Sequence, residues 1–373
     1  VSARASVVLG VSLALLAGAR SASAQVSTPG GGGPGNGGTA GGLYGNDGAS
    51  AGRAAILSLA TRASGPEVDA DVVGLCGRAD GKVFWVRGLT GGAELAQEEA
   101  GQLTGGVLGV ALIAQDAGWA LDDMGALARL VHGSDLQVVA RHPGGAQALA
   151  LAPDAGHVAT AGNDGVIRVW DTAGAQVAEL EGHEGPVSAL AWTEAGLWSA
   201  GWDGTVRAWS AKNRRFKADG RPTQVGPREL CAVAAGKGGA VVAGGFEGSI
   251  LLVDTAKRRT SAWPARPNPE LVRGLVASPD GTRALAVLPG ECSVVLLTLT
   301  EQAAPLRWVQ TLADGKPPST VAWLPDGKTF LVGRFDGTLR GTQVPDVAAA
   351  PGAPRRAAAG ADPTAAPPTV GTR

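Results

Sequence analysis

AGNDGVIRVWD (Ala161–Asp171) and AGWDGTVRAWS (Ala200–Ser210) are two copies of one phrase. In each, a short run ends at an Asp-Gly pair, and the chain resumes as an alternating apolar segment carrying a Trp. Asp-Gly supplies the positive φ that a tight hairpin turn demands. Period-two alternation on both sides of such a turn reads as two antiparallel strands.

Extending the second copy in both directions gives a complete unit over residues 182–217. Val187–Trp192 is a buried first strand and Leu197–Ala200 a second. Trp202-Asp203-Gly204 turns the chain into a third strand, Thr205–Trp209, and the polar segment Lys212–Lys217 is a fourth. Charge on an outermost strand discourages unwanted pairing. Four short antiparallel strands in about forty residues make one propeller blade.

Weaker copies of the turn occur at GRADGKVFWV (Gly77–Val86), DDMGALARLV (Asp122–Val131), GGFEGSILLVD (Gly244–Asp254), LPGECSVVLL (Leu288–Leu297) and GRFDGTLRGT (Gly333–Thr342). The turn positions Asp80, Met124, Asp164, Asp203, Glu247, Glu291 and Asp336 follow one another at 44, 40, 39, 44, 44 and 45 residues. A fixed period of that size marks a repeat architecture. The expected fold is all-β, a seven-bladed β-propeller of four-stranded antiparallel blades. Blades should begin near Ala54, Gly106, Ala146, Pro186, Glu229, Leu271 and Ser319. The last blade runs out after its third strand at Val344. Either residues 43–52 supply its outer strand, or it stays three-stranded.

Outside the repeats the composition changes. Residues 1–24 read as a signal peptide, with Arg4 before the apolar stretch Val7–Ala19 and Ala22-Ser23-Ala24 at the cleavage point. Residues 25–53 form a Gly-rich linker, and residues 345–373 a Pro/Ala-rich tail expected to be disordered. The propeller occupies residues 54–344. Net charge is −1, or −3 once Arg4 and Arg20 leave with the leader, so bulk charge points to neither nucleic acid nor anionic lipid. Cys76, Cys231 and Cys292 are an odd set without CxxC spacing. They read as small core residues, or as one disulfide and a spare thiol.

On these residues the chain resembles the WD-repeat β-propeller family over roughly residues 54–344, as an exported bacterial member. In that family a His, a Ser or Thr, the turn Asp and a Trp form a hydrogen-bonded chain inside a blade. His183, Ser199, Asp203 and Trp209 match all four positions. His142, Thr160, Asp164 and Trp170 match in the preceding blade, with Arg141 where the family has Gly, and Asp171 completes the Trp-Asp pair. Elsewhere the pattern lapses. Cys76, Ala243 and Val332 stand at the hydroxyl position, and Val86, Val253 and Thr342 at the Trp position. The resemblance assigns these tetrads to the scaffold, and Ser199, His183 and Asp203 are not read as a nucleophilic triad.

The resemblance also places the residue before each turn acid on one face of the disc: Ala79, Asn163, Trp202, Phe246 and Phe335. Three aromatics there are many for a chain with 16 in all. They either anchor a partner, with Asn163 as a polar contact, or fold over their own turns. A basic set, Lys212, Arg214, Arg215 and Lys217 with Lys257, Arg258 and Arg259, is a second candidate surface or a solvated edge. No catalytic set, metal-ligand spacing, phosphate loop or haem motif is found, and no cofactor is expected. The reading is an exported, non-catalytic scaffold, periplasmic or extracellular, monomeric, and binding a protein or peptide. It binds no nucleic acid, and the mature chain does not enter a membrane. The alternatives are a secreted propeller hydrolase or lactonase with its site in the central channel, and a Tol-type envelope propeller suggested by Ser278-Pro279-Asp280-Gly281.

Overall fold

A computed structural model of the chain describes residues 54–61, 72–88, 95–114, 116–212, 215–225, 229–236, 240–246, 248–254, 259–262, 271–299, 308–311 and 315–344. The expected leader, linker, tail and extra strand at 43–52 lie outside these residues. Among them every regular element is a strand. Seven antiparallel sheets follow one another in chain order, each running outward from its first strand. The inner strands are Ile56–Thr61, Val107–Ala114, Ala146–Leu151, Val187–Thr193, Leu230–Ala235, Gly274–Ala277 and Pro318–Trp323. Blades 1 to 6 have at least four strands and blade 7 has three among the described residues. Blade 4 gains a short extra strand, Thr223–Gln224, against its third.

One boundary moves. The fourth strand of blade 4 is Arg215–Ala218, not Lys212–Lys217. Its third strand continues to Lys212, which pairs with Arg215 across the hairpin. Alternation through Ser210-Ala211-Lys212 extends the third strand, so the first of the basic residues belongs to it.

The core is divided among the blade interfaces. Seven apolar clusters each combine two neighbouring blades: 1 with 2, 2 with 3, and so on to 7 with 1. The last of these packs Ile56, Leu59 and Cys76 against Ala322, Leu331 and Leu339, and thereby closes the ring. Inner and second strands are therefore buried on both sides, so they read as continuous apolar runs rather than strict alternation. Glycine permits the closest approaches. A Cβ on Gly109 would meet Leu149 of the next blade at 2.6 Å, and one on Gly333 would meet Ile56 at 2.8 Å.

The inner strands share an irregularity near their first residues. In six blades the register skips one residue: Leu57, Leu108, Gln147, Ser188, Cys231 and Ser319. Each is a bulge that redirects one side chain. All six are buried. Where the bulged residue is Ser, its hydroxyl donates to the inner strand of the next blade, Ser188 to the Leu230 carbonyl and Ser319 to that of Ile56.

Candidate functional site

Two blades contain complete hydrogen-bonded tetrads. In blade 4 the Trp209 indole donates to Ser199 Oγ at 2.8 Å, and Ser199 Oγ lies 2.7 Å from His183 Nε2. His183 Nδ1 lies 2.9 Å from Asp203 Oδ2. Trp can only donate and an ionised Asp only accept, so Ser199 Oγ accepts the indole proton and His183 Nδ1 donates to Asp203. Burial would raise the Asp203 carboxyl, but the His183 hydrogen bond and charge, with the Thr205 and Glu184 amides, hold it well below the usual carboxylate range.

Blade 3 uses the same parts with the imidazole turned over. Trp170 donates to Thr160 Oγ1 at 2.8 Å, Thr160 faces His142 Nδ1 at 2.9 Å, and His142 Nε2 faces Asp164 Oδ1 at 3.2 Å. In blade 4 the Thr205 hydroxyl also serves Asp203 at 2.8 Å. Val166 has no hydroxyl at that place, and Arg168 instead donates to Asp164 Oδ2 at 2.6 Å. Burial, the largest influence, lowers His142, against the raising effect of Asp164. Ser199, His183 and Asp203 have triad distances, but Ser199 is wholly buried and its oxygen receives the Trp209 indole. A substrate cannot reach it. This array stiffens a blade.

The turns between second and third strands open on one face of the ring. The backbone amides of Ala79, Asp123, Asn163, Trp202 and Phe246 bond the carbonyls of Ala55, Gly106, Gly145, Pro186 and Glu229. Each carbonyl lies just ahead of the inner strand of the same blade, so these five side chains leave the disc from equivalent points. Trp202 and Phe246, from adjacent blades, meet edge to face with centroids 6.3 Å apart. Both are half-buried. The Phe335 ring carries the Arg273 guanidinium at 4.7 Å. Asn163 is exposed, but its amide is engaged: Oδ1 accepts from Gln147 at 2.7 Å, and Nδ2 donates to the Gly144 carbonyl at 3.1 Å. The structure thus brings Trp202 and Phe246 together, gives Phe335 a cationic cover, and ties Asn163 to its own blade.

At the position just before the turn residue, two side-chain atoms are buried without a hydrogen-bond partner among the described residues, Trp202 Nε1 and Asp123 Oδ1. Most buried polar groups in folded proteins are satisfied, and an orphan costs about 1–3 kcal/mol. Burial raises the Asp123 carboxyl, the charge of Asp122 adds to that, and the Met124 and Gly106 amides oppose it in part. Beside it Met124 is 64% exposed. Asp123 occupies in blade 2 the place of Trp202 in blade 4. Sequence reading passed over it because Asp122-Asp123-Met124 does not spell acid-Gly. Counting one residue back from the turn position Met124 would have found it. Arg273 had no such signal, since it precedes an inner strand in a stretch without a motif.

The basic set is largely beyond description. Arg214, Lys257 and Arg258 lie outside the described residues, as do the side chains of Lys212, Arg215 and Arg259. Lys217 is exposed. The three cysteines are free thiols, so the disulfide alternative does not hold. Burial pushes Cys76 up to about 12 and Cys231 higher still. Cys292 is half-exposed in a turn and is not a core residue. Among the described residues no group of His, Cys, Asp and Glu is arranged to hold a metal ion.

Residues 133–171 and 174–210 match the family model described as WD domain, G-beta repeat. Each match takes the outer strand of one blade with the three inner strands of the next, covering Gln137–Arg141 with blade 3 and Gln176–Leu180 with blade 4. The chain is similar to a periodic tryptophan protein 2 homolog of Dictyostelium discoideum, 29% identical over 52% of this chain and 21% of the relative. It is also similar to telomerase protein component 1 of Mus musculus, 32% identical over 48% of this chain and 7% of the relative. A shorter match, 37% identical over 62 residues, is to ribosome biogenesis protein YTM1 of Saccharomyces cerevisiae, covering 16% of this chain and 14% of that protein. The chain therefore spans about a fifth or less of the length of these relatives.

Proposed function

We propose that this seven-bladed propeller, with WD repeats in its third and fourth blades, is a non-catalytic scaffold that binds a protein or peptide through one face of its ring. The observation that carries the reading is the pair of orphaned atoms, Trp202 Nε1 and Asp123 Oδ1, at equivalent turns on the face that also holds the Trp202–Phe246 pair. A bound chain would accept from the indole, donate to the carboxylate, and cover two aromatic rings. Aromatic anchors of this kind carry much of the energy at protein interfaces. Because the turns are fixed by the sheets, little is ordered on binding.

The names of the relatives, drawn from ribosome biogenesis and a telomerase component, are consistent with service in assemblies. Export to the periplasm or beyond is part of the proposal and rests on residues 1–24 alone. The proposal includes a monomer that binds no nucleic acid and whose mature chain does not insert into a membrane.

The test is a quantitative pull-down from envelope and secreted fractions of the source cell. Wild type is compared with a Trp202→Ala, Phe246→Ala, Phe335→Ala variant of matched melting temperature and with Asp123→Asn. A partner held by wild type and lost from the triple variant supports this face. Equal capture by both refutes it.

A further inference from the structure

The opposite side of the disc carries a groove separate from the face just described. The second strand of blade 3 runs from His157 to Gly162, and Gly162 feeds the Asn163-Asp164 turn. His157 therefore lies at the far end of the strand, about 17 Å away. Beside it, between blades 3 and 4, is a groove of about 760 Å³. That is within the usual range for ligand clefts, about 300–1,000 Å³.

The base of the groove is aromatic. Phe216, on the outer strand of blade 4, stands edge to face against His157 at 5.6 Å and against Trp192 at 6.1 Å. Two edge contacts fix its ring, and Trp192 is buried in the interface of blades 3 and 4 beneath it. These two blades are the ones stiffened by complete tetrads, so the walls are held before anything binds.

The rim is acidic. Asp154 and Asp171 each commit one oxygen to their own turns, Asp154 to the Gly156 amide and Asp171 to those of Ala173 and Ala175. Their second oxygens take no hydrogen bond from a described residue. Glu194 is exposed and makes neither hydrogen bond nor ion pair among the described residues. The described lining includes no Lys or Arg. A cavity with an aromatic ring below, and above it carboxylates with oxygens that take no hydrogen bond from a described residue, suits a cation with a flat face.

We infer that this groove binds an arginine side chain presented by an extended peptide. Guanidinium stacks on aromatic rings and pairs with carboxylates through two parallel N–H groups, which ammonium cannot match. The remaining volume admits the residues flanking the arginine, and Val177, 44% exposed at the groove edge, offers them apolar surface.

Fluorescence anisotropy on the full chain tests this with two probes, fluorescein-labelled Ala-Gly-Arg-Ala-Gly and the same peptide with citrulline for arginine. Citrulline keeps the shape and removes the charge. The arginine peptide is expected to bind, with the citrulline peptide at least about fivefold weaker, the scale of one cation–π contact. The Asp154→Asn, Glu194→Gln variant should weaken the arginine peptide by a similar factor at unchanged melting temperature. Val177→Lys, a change at an exposed position, should do the same without touching a turn. Equal affinity for both peptides overturns the assignment, as does arginine binding indifferent to the groove variants. Binding lost instead in Trp202→Ala, Phe246→Ala would move the peptide to the other face and overturn it equally.

Discussion

At the scale of single residues, Asp203 and Asp123 are opposites. Asp203 is held below the usual carboxylate range by its donors, and Asp123 is raised by burial. A carboxyl depressed in the folded state contributes stability above its unfolded value, about pH 3.9, and loses it as pH falls through the folded value. Asp203→Ala is therefore expected to lower the melting temperature at pH 7 by a few degrees, for loss of about 1–3 kcal/mol in a large domain. Asp203→Asn should narrow its gap to wild type below about pH 4. A gap that stays constant to pH 2 would remove Asp203 from the charged network. His142, lowered by burial, adds an earlier stage, since its contribution is lost as pH falls below about 6.5. Asp123 has the reverse sign. Asp123→Asn relieves a disfavoured charge and should raise the melting temperature by about 1–3 °C at pH 7, with a smaller gain near pH 4. A residue that costs stability yet sits on the proposed binding face fits the usual exchange of stability for function. Thiol chemistry separates the cysteines as well. Native protein should expose one fast-reacting thiol to Ellman's reagent, Cys292, and all three once unfolded. Two fast thiols in the native state would contradict the burial of Cys76 or Cys231.

At the scale of turns and strands, the sequence was readable wherever turn chemistry was spelled in full. The Asp-Gly turns hold Gly165 and Gly204 at φ of 76° and 73°, as the motif demands. Pro279-Asp280-Gly281 and Pro325-Asp326-Gly327 close through Asp side chains that accept from Thr282 and Thr329. Inner strands begin within three residues of the expected starts because apolar runs between such turns leave little freedom. Legibility fails where one residue departs from the spelling. Asp123 went unnoticed in a turn without Asp-Gly, and the Phe216 groove was invisible because its walls come from two blades and no single stretch encodes them. Cys292 shows the cost of departure. It stands where blade 4 has Gly204 and adopts φ of 47°, with its amide bonded to the Pro289 carbonyl as Gly204 bonds Gly201. A left-handed residue with a Cβ costs about 1–2 kcal/mol. Cys292→Gly should accordingly raise the melting temperature by about 2 °C or more, in spite of glycine's looser unfolded chain. A fall would mean that the Cys292 contact with the Gly315 carbonyl outweighs the strain.

At the scale of the whole molecule, the seven interface clusters turn a linear array into a ring. Linear repeats contact neighbours alone, and their terminal units can open independently of the rest. Here the first blade is also a neighbour of the last, through Ile56, Leu59, Leu331 and the hydroxyl of Ser319. Every blade therefore has two partners, and loss of any one interface should weaken the same cooperative unit. Leu59→Ala at the 7–1 interface and Leu190→Ala at the 3–4 interface remove equally buried side chains from clusters of the same kind. Each is expected to cost about 2–5 kcal/mol. In an open array Leu59→Ala would release a terminal blade early and split the calorimetric transition, while Leu190→Ala would not. In the ring both should lower one single transition by a similar amount, with protection from hydrogen exchange declining together in blades 1, 4 and 7. An early, separate opening of blade 1 in the Leu59→Ala variant would show that the closing interface is too weak to hold the disc. Both proposed binding faces would then lose the rigidity on which their fixed turns depend.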